Sequence, residues 1–349
     1  MASYDVIGDV HGCADALERL LCKLGYRERD GAWRHPQRTA VFVGDLIDRG
    51  PQQVETVTLV RRMVDAGTAH VAMGNHEFNA IAWATPDGSR PGMFLRRRDG
   101  DKGRRHREQH AEFLAQVGED SALHREFIEW FRTLPMCLDL GGLRVAHACW
   151  HDDSIEILRA AERSGRLTDE FLHAAHDRGH LCPTAAEEGR VEATAHGDGN
   201  CCCRASSPEY RAIETVLKGP EMAVSPSYLD KGGHVRSRAR VRWWDVSATT
   251  VRTLAEIPPR TKTPSGRRYP RLPDAPSSEA EPFRYRSEVP VVFGHYWRRK
   301  RNPVVEPRAV CVDLSAVRGG HMAAYRFDGE PTIEPGRLIT VRGLRRWSR

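Results

Sequence analysis

Tyr4-Asp5-Val6-Ile7-Gly8-Asp9-Val10-His11-Gly12 sets a short apolar run directly against a polar loop, and the chain uses that design twice more by residue 77. Thr39-Ala40-Val41-Phe42-Val43 leads into Gly44-Asp45-Leu46-Ile47-Asp48-Arg49-Gly50, and Ala69–Met73 leads into Gly74-Asn75-His76-Glu77. Each apolar run has the length of a buried strand. Between the first two, Leu17, Leu20, Leu21 and Leu24 recur at helical spacing and stop at Gly25. Between the second and third, Pro51 stands where a first helical turn tolerates it, and Val54, Val57 and Val64 share one face. This strand-helix-strand rhythm predicts a layered α/β core.

Further along, helical patterns cover about 106–117 and 123–132. Strands are expected at 136–140 and 143–146, with Gly141-Gly142 as a hairpin turn. Weaker helical patterns follow at about 152–163, 168–177 and 208–217, then strands at 241–246 and 250–257. Residues 258–282 hold seven prolines and read as an irregular connector. Strands return at 290–293, 309–312 and 322–327, and no fixed-period repeat is present. The expected organisation is a core from 1–150 and 290–349, with 151–289 as an inserted cap.

Five strand ends deliver polar side chains to one edge. Asp9 and His11, Asp45, and Asn75 come from the three loops above. His147 follows Arg144-Val145-Ala146, and Gly294-His295 follows Val291-Val292-Phe293. Ligands of open α/β sheets bind just beyond the carboxyl ends of strands. Asp9, His11, Asp45, Asn75, His147 and His295 make three oxygen donors and three imidazoles without a thiolate. Such a set suits hard or borderline divalent ions: manganese first, with iron, zinc, nickel or magnesium as alternatives. Six donors exceed what one catalytic metal with an open position can use, and they fit two ions sharing a carboxylate, for which Asp45 is the candidate. Such a pair makes hydroxide available near neutral pH. His76 is then the candidate general acid, Asp48 its orienting carboxylate, and Arg49 a fork for phosphate oxygens. Asn75 is placed to touch substrate as well.

The three glycine-flanked blocks resemble the signature blocks of the calcineurin-like metallophosphoesterases, in the phosphoprotein phosphatase branch. That branch includes serine/threonine phosphatases and symmetrical diadenosine tetraphosphate hydrolases. The resemblance is specific over 4–80 and looser through His147. It returns at Val292-Phe293-Gly294-His295-Tyr296-Trp297 and again from Asp313 to Arg326. It implies a β-sandwich core flanked by helices and two metals at one edge. It also implies hydrolysis of phosphate esters or anhydrides, and the basic segments together with Gly294-His295-Tyr296-Trp297 tilt the expected substrate toward dinucleoside polyphosphates or other nucleotides. A serine/threonine protein phosphatase is the alternative, and a non-catalytic phosphate- or RNA-binding scaffold the second. His147 is followed by Ala148-Cys149-Trp150 where the branch has Gly-Gly, which alters the pocket wall. The branch's second phosphate-binding arginine has no clear match; Arg252 and Arg298 are the candidates.

Composition sets outer bounds. The net charge of +6 attracts anions. No stretch reaches the roughly 18 apolar residues of a membrane span. A cleavable leader would remove the first block, so a cytoplasmic protein is expected. Cys13, Cys22, Cys137, Cys149 and Cys311 are scattered singly, as reduced thiols are. The expected partners are a phosphorylated small molecule, a nucleotide or a phosphoprotein, with no membrane and no stable nucleic-acid complex. Two basic blocks stand out: eight Lys or Arg between Arg90 and Arg107, and Arg298-Arg299-Lys300-Arg301. Each reads as a solvated face or as a rim for polyanions. His180, Cys182, His196 and Cys201-Cys202-Cys203 fit incidental thiols better than a zinc site. Trp243-Trp244 in a strand would put one ring on each face, for core packing or for stacking on a base.

Overall fold

The computed structural model describes residues 2–179, 205–230, 232–301 and 303–344. Its first sheet runs Asp313–Leu314, His321–Phe327, Ser3–Ile7, Arg38–Phe42, Ala69–Val71, with Leu338–Arg342 also paired to His321–Phe327. Ser3–Ile7, Arg38–Phe42 and Ala69–Val71 are parallel, as crossovers through helices Ala14–Leu24 and Gln53–Asp65 require. The second sheet runs Val305–Glu306, Ala309–Cys311, Val291–Phe293, Arg144–Ala146, Cys137–Asp139.

Side-chain alternation explains why these sheets stack. Val6 and Val41 from the first sheet share one buried cluster with Val145, Val292 and Val310 from the second. Their chain neighbours Ile7, Phe42, Ala146, Phe293 and Cys311 belong to a different cluster, which includes the helical residues Leu17, Leu20 and Val57. A strand buried on both faces gives this split at a period of two. The result is a β-sandwich with helices outside it, as the resemblance implies.

Several elements differ from the sequence reading. Asn75–Ala84 is a helix that begins on the third block. Phe78, Ala80, Ile81, Ala82 and Trp83 are all buried, so no one-sided stripe announces it. The strand expected at 241–246 lies earlier, at Val235–Val241, and pairs with Glu221–Leu229 and with the two-residue strand Ala255–Glu256. The expected 250–257 strand is otherwise a helical turn, Val251–Leu254. Trp243 and Trp244 lie beyond the strand, and both rings are buried against Phe293. Trp243 Nε1 donates to the Ala148 carbonyl at 2.9 Å. They pack the core, and neither ring is free to stack on a base. His180, Cys182, His196 and Cys201–Cys203 lie outside the described residues.

The basic run 96–98 is committed to the protein itself. Arg98 lies 3.5 Å from the Phe94 ring centre and 5.0 Å from that of Trp83, and donates to the Trp83 carbonyl at 2.7 Å. Arg96 donates to Asn79 and Gln109 at 2.6 and 2.9 Å. Arg97 is paired with Asp99. A guanidinium already satisfied by carbonyls and rings is a staple rather than a rim. Arg98→Ala is therefore expected to lower the unfolding free energy by about 1–3 kcal/mol. An unchanged denaturation midpoint would return Arg98 to the solvated face.

Candidate metal centre and cleft

The loops after Ser3–Ile7, Arg38–Phe42, Ala69–Val71, Arg144–Ala146 and Val291–Phe293 converge on one edge of the sandwich. Asp45 lies at the middle. Its Oδ2 is 3.5 Å from His11 Nε2 and 3.8 Å from His76 Nε2, and its Oδ1 is 3.4 Å from His147 Nε2. His147 Nε2 is also 3.1 Å from Asn75 Oδ1 and 3.2 Å from His295 Nδ1. His11 Nε2 lies 3.9 Å from Asp9 Oδ2, and the His295 backbone N–H donates to Asp9 Oδ1 at 3.2 Å. Two donor groups result, His11-Asp45-His76 and Asp45-His147-His295, and they share Asp45.

The imidazoles are set up to present lone pairs. His11 Nδ1 faces the Ile47 carbonyl at 2.8 Å, and His147 Nδ1 faces the Val43 carbonyl at 2.9 Å. A carbonyl only accepts, so each Nδ1 carries the hydrogen and each Nε2 points its lone pair inward. Burial lowers the pKa of His11, His147 and His295, which keeps them neutral. Two of the carboxylates, Asp9 and Asp313, lack enough nearby cations. Burial, then Asp313 and Asp45, pushes Asp9 well up. Burial lifts Asp313 to about 6, and its Oδ2 is buried with no hydrogen-bond partner. Three buried carboxylates beside inward-facing lone pairs fit divalent cations.

The loops are held in costly conformations. His11, Asp45, Asp48, Arg49 and His295 have φ of 46, 53, 71, 73 and 66°. Side chains are crowded in that region, and such strain persists where the surroundings enforce it. Glu77 supplies part of that enforcement: its carboxylate accepts the N–H groups of Asp45, Leu46 and Gly74 at 2.9, 2.8 and 3.0 Å. Gly294 is a contact point. A β-carbon there would sit 2.2 Å from Asp9 Oδ1. Gly294→Ala is expected to displace Asp9 and weaken divalent-metal binding roughly 10- to 100-fold, as read by metal titration. Unchanged affinity would remove Asp9 from the ligand set.

Beside this cluster, His76 Nδ1 pairs with Asp48 Oδ2, and His110 Nδ1 lies 2.6 Å from Asp48 Oδ1. Burial alone would raise the Asp48 carboxyl, but His110 and His76 hold it well below the usual carboxylate range. Arg49 bridges His11 Nε2 and His76 Nε2, the latter at 2.9 Å, with its guanidinium 4.9 Å from the Trp297 ring centre.

The calcineurin-like phosphoesterase family model matches residues 3–193, more than half of the chain. The chain belongs to that family. It is similar to asymmetrical bis(5'-nucleosyl)-tetraphosphatases PrpE. The Halalkalibacterium halodurans protein is 51% identical over 74 residues, 21% of this chain and 30% of that protein. The Bacillus subtilis protein is 41% identical over 75 residues, 21% and 31% of the two chains. The match therefore spans about 30% of the length of these curated relatives. Among solved structures, a cold-active protein-tyrosine phosphatase of a Shewanella species is 17% identical, covering 96% of this chain and 81% of that one at a TM-score of 0.40.

The phosphoesterase opens its metal-side edge into a cleft of about 830 Å³. Arg49, Arg105, Lys218, Arg240, Arg298 and Arg318 line it against Glu108, Glu112 and Glu256. That excess suits an anion. Arg298 is at the wall, held by Glu256 at 2.8 Å. Arg252 is elsewhere, which corrects its candidacy. On the helical turn Val251–Leu254 it donates to the Leu272 carbonyl at 2.9 Å and to Asp274 at 3.0 Å, so the 272–274 loop consumes it. Arg240 and Arg318 were not expected. Arg318 packs 3.8 Å from the Trp297 ring centre. Arg240 lies 5.5 Å from the Tyr296 ring centre and, among the described residues, has no carboxylate partner. Glu77, His110 and Asp313 were also missed as site residues. Glu77 and Asp313 stood in quoted segments, whereas a histidine inside helix Gly100–Val117 carries no sequence signal of its role.

No helix among the described residues is long and apolar enough to cross a membrane.

Proposed function

We propose that this phosphoesterase hydrolyses phosphate esters or anhydrides, with dinucleoside polyphosphates or related nucleotides as its substrates. Two divalent ions, manganese first, would be held by Asp9, His11, Asp45, Asn75, His147 and His295. Asp45 carries the assignment, because its two oxygens serve both donor groups. The similarity to tetraphosphatases supports the choice of substrate. When bound, the ions supply positive charge for phosphoryl oxygens and lower the pKa of water, so that hydroxide is available near neutral pH.

The chain's own residues do the rest. One lone pair on His11 cannot serve both Arg49 and a metal ion, so Arg49 would be released from His11 by an ion held there, and from His76 by a proton on His76 Nε2. The planar fork of Arg49 then meets a phosphate in the cleft. Asn75 lies beside the same phosphate. His76 gives its proton to the departing oxygen, and Asp48 stabilises the charged imidazole and fixes its ring. His110 holds the opposite oxygen of Asp48. Residues 151–289 act as a cap on the 1–150 and 290–349 core; Lys218, Arg240, Glu256 and Pro258 contribute to the cleft from this cap. A cytoplasmic site of action fits the free thiols of Cys13, Cys22, Cys149 and Cys311.

The test is phosphate release by metal-stripped protein refilled with Mn²⁺. The substrates are p-nitrophenyl phosphate, bis-p-nitrophenyl phosphate, a phosphopeptide and diadenosine tetraphosphate. The dinucleotide is expected to give the highest kcat/KM. Preference for the phosphopeptide would make the protein a protein phosphatase, and inactivity on all four would leave a non-catalytic scaffold.

A further inference from the structure

The cleft does not end at the metal-side edge. A second chamber of about 1110 Å³ adjoins it, and Lys218, Arg240, Glu256 and Pro258 line both. Strand Val235–Val241 runs along this chamber. Arg236, Arg238 and Arg240 alternate with Ser237, Ala239 and Val241, so the three arginines share one face. Ala239 and Val241 are buried on the other. The arginines form a ladder with rungs about 7 Å apart, rising toward the metal-side cleft.

The rungs are not equivalent. Arg236 is paired with Asp230 at 2.9 Å. Arg238 is paired with Glu279 and donates to the Glu221 carbonyl at 2.7 Å. Arg240, at the throat, has no anionic partner among the described residues and faces the cleft where cations are in excess. Lys218 at the throat is paired with Glu214. The outer chamber is therefore close to charge balance, while the throat is cationic. Tyr210, Tyr228 and Phe283 add aromatic surface to the outer walls. An inorganic phosphate chain would seek unpaired cations along its whole length. A flat, neutral, hydrogen-bonding group joined to a phosphate chain matches both halves.

We propose that the second chamber binds the nucleoside end of a nucleoside polyphosphate, whose phosphate chain crosses Arg240 into the metal-side cleft. This rests on the hydrolase reading and adds to it a recognition site built wholly by residues 208–283, beyond the region matched by the family model. Tyr210 and Phe283 offer the nucleoside its apolar contact, and the paired arginine and carboxylate groups offer it hydrogen bonds.

The test compares kcat/KM for diadenosine tetraphosphate and inorganic tripolyphosphate on Mn²⁺-refilled protein. The parent is expected to favour the dinucleotide at least about 10-fold, and Tyr210→Ala/Phe283→Ala to shrink that ratio by about 10-fold. Tyr210→Phe, which keeps the ring, is expected to retain it. A parent ratio near one, or a ratio unmoved in the double variant, overturns the proposal. Calorimetry on metal-free parent protein tests it without turnover or substitution: adenosine 5'-monophosphate should bind at least about 10-fold tighter than inorganic phosphate. Equal affinities overturn it. Loss of hydrolysis of both substrates with AMP binding intact would sink the hydrolase reading and leave the chamber standing.

Discussion

Asp45→Asn is expected to lower phosphate release from every substrate by at least about 1000-fold, which is about 4 kcal/mol of transition-state stabilisation. The substitution is nearly isosteric. The remaining carbonyl can still accept the His76 backbone N–H that Asp45 Oδ1 accepts at 3.0 Å. The charge shared by the two donor groups is what disappears. Burial would raise the Asp45 carboxyl, but the net pull of its neighbours, Arg49 among them, holds it below the usual carboxylate range. Its negative charge is therefore part of the folded site. Metal analysis of the purified variant should give fewer ions per chain than the parent, with the denaturation midpoint of the metal-free protein near that of the parent. Full metal content with full turnover would refute a shared carboxylate.

His76→Ala has the second largest expected effect, and it should depend on the leaving group. A positioned general acid contributes on the order of 100- to 10,000-fold. Its share is largest when the departing oxygen is a poor leaving group. Turnover of an alkyl phosphate should therefore fall much further than turnover of p-nitrophenyl phosphate. Equal losses on both would make His76 a wall of the cleft and not the proton donor. Asp48→Asn should reproduce part of the same pattern, because it keeps the shape at His76 Nδ1 and His110 Nδ1 but removes the charge between them.

The legible parts of this molecule are those where one local pattern determines one local structure. The apolar runs at Val6-Ile7 and Val41-Phe42 lie in strands buried on both faces, and the glycine-flanked loops after these strands and after Ala69–Val71 bring Asp9, Asp45 and Asn75 to one edge. Helix Asn75–Ala84 was missed because it is apolar on nearly every side, so its period carries no stripe. Arg252 and Arg298 looked equivalent in sequence. Only tertiary contacts separate an arginine consumed by the 272–274 loop from one held at the cleft wall. The Arg236-Arg238-Arg240 alternation could have been read as a strand; its period of two is carried by charge instead of apolar residues. The roles of His110 and Asp313 come from neighbours distant in the chain, and no local pattern encodes them.

Strand Ser3–Ile7 pairs in parallel with Arg38–Phe42 and antiparallel with His321–Phe327. The first partner leaves a ribosome soon after it. The second follows some 15–60 s later at about 5–20 residues per second. For most of that interval the nascent chain carries Asp9, His11, Asp45 and Asn75, while Gly294 and His295, which close the ring around Asp9, do not yet exist. Val6 and Val41 meanwhile lack Val292 and Val310 to cover them. The order of synthesis thus delays the complete candidate ligand set until His295 has been made, and it leaves an apolar sheet face uncovered until then.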